Sequence, residues 1–371
     1  MRGALLLALF RFALRIDLGP EFDSNANRAE LYRTPPPVTP GDSPPPQPAA
    51  SFLVRSLLGT NLIAAHGPHL LRLGLQGGGK FFLTSAAAPQ DTAVGQAQVA
   101  WRIRLAAPVL LLFAGDYYDA LQWNRCPDLI AGGQPFGDRS CHRDFRSLGG
   151  HATTELLHEP YSLSLSGGAR LFHWKPDDAL SFSSLFGQAT ISAHLRCGEH
   201  EWDLATSGRI DRRDYHGLAL VSPSDLEGTT RRRLDSDAQW NLSLAYVGPV
   251  LIEGSYAVDF NRSTSYGQTF LRHVVGAKLA VELPWQLSAA AKLQLVFMSY
   301  SEPSALTSGK VAPLTIEDEN RNALLVDLSR PIGRGFSLGA RYALYRSGVS
   351  DAVLSYDRQV VFLGLTYRPM K

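Results

Sequence analysis

The stretch Phe10-Arg11-Phe12-Ala13-Leu14-Arg15-Ile16-Asp17-Leu18-Gly19 alternates without a break. Phe10, Phe12, Leu14, Ile16 and Leu18 fall on one parity. Arg11, Ala13, Arg15, Asp17 and Gly19 fall on the other. A period of two places successive side chains on opposite faces of a strand, so this segment reads as a two-faced β-strand. Pro20 cannot donate to a ladder and is expected to interrupt it.

The same alternation recurs along the chain. Leu71, Leu73, Leu75 and Phe81 oppose Arg72, Gly74, Gln76 and Lys80; Val99, Trp101, Ile103 and Leu105 oppose Gln98, Arg102 and Arg104. Leu163, Leu165 and Leu171 oppose Ser162, Ser164, Ser166 and Arg170, and Trp240, Leu242, Leu244 and Tyr246 oppose Gln239, Asn241 and Ser243. Roughly 16 such runs occur, most near the 9–11 residues that cross a bilayer on a tilt, and none shows a helical period. Around Gly187 the apolar parity switches, which marks either a bulge or a misassigned strand over 180–196.

These runs are long for a soluble sandwich, whose strands typically hold about 5–6 residues. Their polar faces are rich in Gly, Ser, Gln and Asn, as a wet interior would be. Tyr117, Tyr118, Trp174, Trp240, Tyr246, Trp285, Tyr342, Tyr345 and Tyr367 lie toward run ends, where interfacial girdles form. Lipid cannot satisfy a bare sheet edge, so the sheet must close. The fold expected is all-β: a closed antiparallel transmembrane β-barrel of about 14–16 strands.

Short Pro- or Gly-containing links alternate with long polar ones. The long links include a Pro-rich loop over 29–50 and a loop over 122–144 holding Cys126 and Cys141. This asymmetry predicts tight periplasmic turns, with both termini on the periplasmic side of a bacterial outer membrane. Residues 1–9 read as a remnant or incomplete signal segment, and 10–371 as the barrel. In an oxidising location Cys126 and Cys141 are expected to form a disulfide, leaving Cys197 without a role.

The chain has 371 residues, a formal net charge of +2 and 45% hydrophobic residues. That charge gives no bulk attraction to nucleic acid, and no apolar run approaches the ~20 residues of a membrane helix. Histidines are scattered, and no spacing selects a catalytic, metal or cofactor site, so none is expected, nor an enzyme. The informative pattern lies on the polar parity. Arg11, Arg15, Arg55, Arg72, Lys80, Arg102 and Arg104 would form a basic lumen wall, opposed only by Asp17. Asp235, Asp237, Glu253, Asp259 and Glu282, with Asp327, Lys278, Lys292 and Arg341, would make the later wall mixed to acidic. Rings and ladders of charge select ions in pores, but they can equally pair across strands and merely line a structural lumen.

"LGPEFDSNANR", "SYGQTFLRHVVGAKLAVELPW" and the closing "VVFLGLTYR" resemble strands of proteobacterial outer-membrane barrels. The group they are most similar to is the barrel of the surface lipoprotein assembly modifiers and related barrels that follow tetratricopeptide repeats. That resemblance implies an outer-membrane barrel surrounded by lipid. It also implies an assembly role with envelope proteins or an exported substrate as partners. The polar lumen face implies instead a channel for solute or polymer, and both readings stand open at this point.

Overall fold

In a computed structural model, residues 9–26, 31–32, 48–84, 87, 90–122, 144–175, 178–221, 230–302, 322–348 and 354–369 are described. They form β1 (Leu9–Asp23), β2 (Leu31–Tyr32), β3 (Ser51–His66), β4 (His69–Phe82), β5 (Thr92–Ala106), β6 (Val109–Gln122), β7 (Phe145–His158) and β8 (Tyr161–Trp174). There follow β9 (Phe182–Cys197), β10 (His200–Leu218), β11 (Arg232–Val247), β12 (Val250–Ser263), β13 (Phe270–Leu283), β14 (Leu287–Tyr300), β15 (Asn322–Gly333), β16 (Phe336–Gly348) and β17 (Leu354–Tyr367). Strand β2 is a two-residue stub paired to the start of β17. The other 16 pair antiparallel in chain order, and β1 closes the ring by pairing with both β3 and β17.

Following paired residues once round the barrel displaces the register by about 20 residues, which with 16 strands sets a tilt of about 40° and a width of roughly 30 Å between opposite backbones. Barrels of this strand number are wide enough for an aqueous interior.

The parity read from the sequence holds round the whole wall. Phe12, Ile16, Leu18, Leu58, Leu73, Leu75, Val99, Leu165, Ile191, Leu244, Leu279 and Leu363 stand exposed on the outer face. A protein in water does not expose a continuous apolar belt of this size; in a bilayer the same belt faces lipid. Tyr161, Trp202, Tyr246, Trp285, Phe336 and Tyr367 ring the outer face near the short-turn end, as an interfacial girdle. Three residues assigned to girdles from the sequence belong elsewhere. Tyr118, Trp174 and Tyr345 share the inward parity, and Trp174 and Tyr345 are buried.

The expected interruption at Pro20 occurs on one side only. The β1–β3 ladder runs through Pro20 opposite Val54. The β1–β17 ladder skips Gly19 and Pro20 and resumes at Glu21 in the same register. The missing N–H therefore costs pairing with one neighbour and leaves the strand continuous. Gly19 is required there: a Cβ would lie 1.9 Å from the Leu363 carbonyl oxygen.

The bulge allowed for near Gly187 is absent. β9 pairs with β8 and β10 in one register throughout. The parity only looks reversed because Phe182 and Phe186 point inward, where Phe182 packs on Phe172 and Tyr215.

The short connections gather at one end of the barrel with residues Leu9 and Tyr367, and the long ones at the other. They include a tight turn between Cys197 and His200 that the sequence reading had not separated. Gly198 takes φ +63° there, in the left-handed region glycine tolerates best. On the long-loop side His216 and Ser181 hydrogen-bond Asp178 and hold its carboxyl below the usual carboxylate range. Cys126, Cys141 and most of 29–50 lie outside the described residues; Cys197 is exposed with a free thiol.

Candidate functional site

Strand pairing keeps parity across neighbours, so the inward set can be read round the barrel. Arg11, Arg15, Arg55, Arg72, Lys80, Arg102 and Arg104 all lie on it, as do Asp235, Asp237, Glu253, Asp259 and Glu282. Register then divides these residues into groups with different surroundings.

Arg55 and Lys80 lie near the long-loop end beside the closing seam. Lys80 Nζ donates to Glu21 at 2.6 Å, and Arg55 reaches the same carboxylate at 3.4 Å while standing over the Phe362 ring. Alongside, the Arg358 guanidinium clasps Asp23 with its Nε 3.0 Å from each carboxylate oxygen. Glu21, Asp23 and Arg358 are at most 2% exposed. Asp17 accepts from Thr366 of β17 and pairs with Arg15 at 2.7 Å. Arg55 and Lys80 thus belong to an ionic seam beside the closing strands, in which Glu21 and Asp23 meet three cations and offset two of them.

The acidic residues of β10, β11 and β12 near the long-loop end are also matched. Arg233 pairs with Asp235 at 2.6 Å, Arg213 with Asp237 at 3.2 Å, Arg272 with Asp259 at 2.6 Å and Arg209 with Asp211 at 3.3 Å. Arg209 and Arg233 also lie over the Phe186 and Tyr215 rings at 3.9 and 4.1 Å. These arginines were missed in the sequence reading. The signal was available: Arg209, Asp211 and Arg213 share one parity, as do Arg233, Asp235 and Asp237. Beside them, on β6–β9, an inward aromatic cluster of Tyr118, Phe145, Phe172, Trp174 and Phe182 stacks ring on ring.

The short-turn third of the lumen differs. Arg11, Arg72, Arg102 and Arg104 converge there from β1, β4 and β5, all pointing inward. Arg102 lies 3.6 Å from Glu155, with both side chains partly exposed. Among the described residues, Arg11, Arg72 and Arg104 have no ion-pair partner. Guanidinium groups stay charged at any working pH, so this wall carries net positive charge. Strands β10–β13 lie across the barrel, and near the same end they present Glu201, Asp203, Glu253 and Glu282 inward. Glu253 is 3.7 Å from Lys278, Glu201 is 3.5 Å from Arg196, and Asp203 hydrogen-bonds His194. The wall between the two sides on β7–β9 is hydroxyl-rich. Thr153 and Ser166 are 2.8 Å apart, and Ser162 and Ser192 2.6 Å. The net positive charge therefore sits on the β1, β4 and β5 side, while the carboxylates opposite are largely offset by Arg196, Lys278 and the inward Lys292.

Among the described residues, no group of three His, Cys, Asp or Glu side chains converges as a metal site.

No protein-family model matches the chain, and no curated protein matches it in sequence. Solved structures do. OccAB1 of Acinetobacter baumannii aligns over 97% of this chain and 97% of its own, at 11% identity and a TM-score of 0.51. A loop L8 deletion mutant of OmpT, an outer membrane protein of Vibrio cholerae, covers 97% and 99% at 12% identity and a TM-score of 0.47. OprD of Pseudomonas aeruginosa covers 96% and 94% at 10% identity and a TM-score of 0.41. The chain shares the porin-like fold of bacterial outer-membrane β-barrels. The similarity stops short of the narrower resemblance to assembly modifiers.

Proposed function

We propose that this chain is an outer-membrane channel through which small anionic solutes pass in preference to cations, with the short-turn end and both chain termini on the periplasmic side. The observation that carries the reading is the inward group Arg11, Arg72 and Arg104, which among the described residues lacks ion-pair partners. Three like charges on one wall of a water-wide barrel repel each other unless water or a counter-anion lies among them. Arg55 and Lys80 contribute less to selectivity, because Glu21 lies against both and offsets one of their two charges.

Reversal potentials across planar bilayers in a salt gradient test the reading. The purified barrel should conduct with anion preference, and Arg72→Gln with Arg104→Gln should move the reversal potential toward cation preference. Unchanged selectivity in the double variant, or no conductance at all, defeats the channel reading. The second result would favour the anchoring or assembly role implied by the sequence resemblance.

A further inference from the structure

The outer wall of β9–β12 carries a feature that the lumen does not explain. Arg212 on β10 and Arg262 on β12 both point outward and are exposed, on a surface that otherwise faces lipid. Both register against Ser236 of β11, also outward and exposed, so the two arginines lie in one row two strand spacings, or about 10 Å, apart. The row sits toward the long-loop end, and Arg232 adds a third outward charge at the start of β11. Among the described residues, neither Arg212 nor Arg262 has an ion-pair partner; Asp214 lies on the loop side of Arg212, outside pairing distance. Outward arginines are costly at mid-bilayer and tolerated only where the side chain reaches the polar headgroups.

Directly on the membrane side of this row the wall is concave. Ile210, Ala238 and Phe260 form the next outward row, and Gly208, Trp240 and Val258 the one after. Glycine and alanine at Gly187, Gly208 and Ala238 leave a hollow of about 550 Å³ between the larger Ile210, Trp240 and Phe260. An apolar hollow capped on its headgroup side by two guanidiniums matches one chemistry: an acyl chain below and a phosphate above. Guanidinium groups bind phosphate bidentately, and anionic headgroups attract basic residues at a membrane surface.

We propose that the outer face of β9–β12 is a binding site for a phosphorylated lipid of the leaflet on the long-loop side, with Arg212 and Arg262 holding its phosphate and the Gly208 hollow seating an acyl chain.

The test uses the full chain, purified in a zwitterionic detergent and titrated with hexa-acylated, bis-phosphorylated lipid A. Bound lipid is read by native mass spectrometry, and folding is checked by heat-modifiable gel mobility. Arg212→Gln with Arg262→Gln should weaken lipid A binding at least tenfold. Arg330→Gln removes an outward arginine at the opposite end of the wall and should leave binding unchanged. Gly208→Leu fills the hollow; a Cβ there meets no atom within 4 Å, so the barrel should fold, and lipid A binding should fall. Inorganic pyrophosphate should not displace the lipid at equal concentration. Undiminished binding in either the double arginine variant or Gly208→Leu overturns the proposal. So does displacement by pyrophosphate, which would mark a site for free anions. A Gly208→Leu variant that loses an oligomeric mass present in the parent would assign the hollow to a second copy of the chain instead.

Discussion

Replacing Arg358 by methionine removes one half of a buried ion pair and leaves the other half in place. Asp23 is fully buried, and in the parent its carboxylate takes two contacts of 3.0 Å from Arg358 Nε and one of 2.5 Å from the terminal nitrogen. It also accepts from the Asn25 backbone N–H at 3.0 Å, so it cannot turn away without releasing the chain that leaves β1. Breaking a buried pair from one side typically costs about 3–5 kcal/mol, because the remaining charge is neither solvated nor matched. Pairing the change with Asp23→Asn should recover a large part of that loss, giving a coupling of at least ~1 kcal/mol in a double-mutant cycle. Arg15→Gln is the internal comparison. It removes a contact of 2.7 Å, shorter than most in the barrel, but the arginine is half exposed and Asp17 keeps its bond from Thr366. Its cost should stay below ~1 kcal/mol. Guanidinium unfolding in phospholipid vesicles, followed by tryptophan fluorescence with m held constant, measures all three. A loss below ~1 kcal/mol for Arg358→Met, or equal losses for Arg358→Met and Arg15→Gln, would refute the claim that burial decides which lumen pairs hold the seam.

Leu73→Arg puts a charge on the outer apolar belt and should lower the yield of folded barrel, at a cost of roughly 2–4 kcal/mol near the midplane, whereas Gln98→Arg on the inward parity should fold normally. Gly19→Ala should block closure, since its Cβ would overlap the Leu363 carbonyl, while Gly59→Ala, with nothing within 4 Å, should leave the heat-modifiable band intact. Peptide mapping without reductant should recover Cys126 and Cys141 in one cross-linked fragment; two free thiols in protein from aerobically grown cells would end that expectation.

Faces were legible in the sequence and heights were not. A period of two fixes which side of the wall a residue occupies, without knowledge of its neighbours. For that reason the charged residues assigned to the lumen all share the inward parity of the paired strands. The period fails where an inward residue is itself apolar. Phe182 and Phe186 mimic a switch of face, and Tyr118, Trp174 and Tyr345 mimic girdle positions, because composition alone cannot tell a ring against lipid from a ring packed inside.

Pairing depends on register, which accumulates strand by strand and is set by turns and loops rather than by alternation. Nothing local joins Asp23 to Arg358 across 335 residues, yet ring closure makes them neighbours. Register between the neighbouring strands β1, β3 and β4 brings Lys80 and Arg55 to Glu21 and leaves Arg11, Arg72 and Arg104 at the opposite end without a partner among the described residues. A basic wall that looks uniform in the sequence is thus two structures: one holds the barrel shut, and the other is left charged toward whatever crosses it. Selectivity and stability should therefore separate by mutation. Glutamine at Arg72 and Arg104 should alter ion preference without altering the unfolding midpoint, and methionine at Arg358 should do the reverse. If both sets of substitutions move both readouts together, the lumen charges form one coupled network and the division by register is wrong.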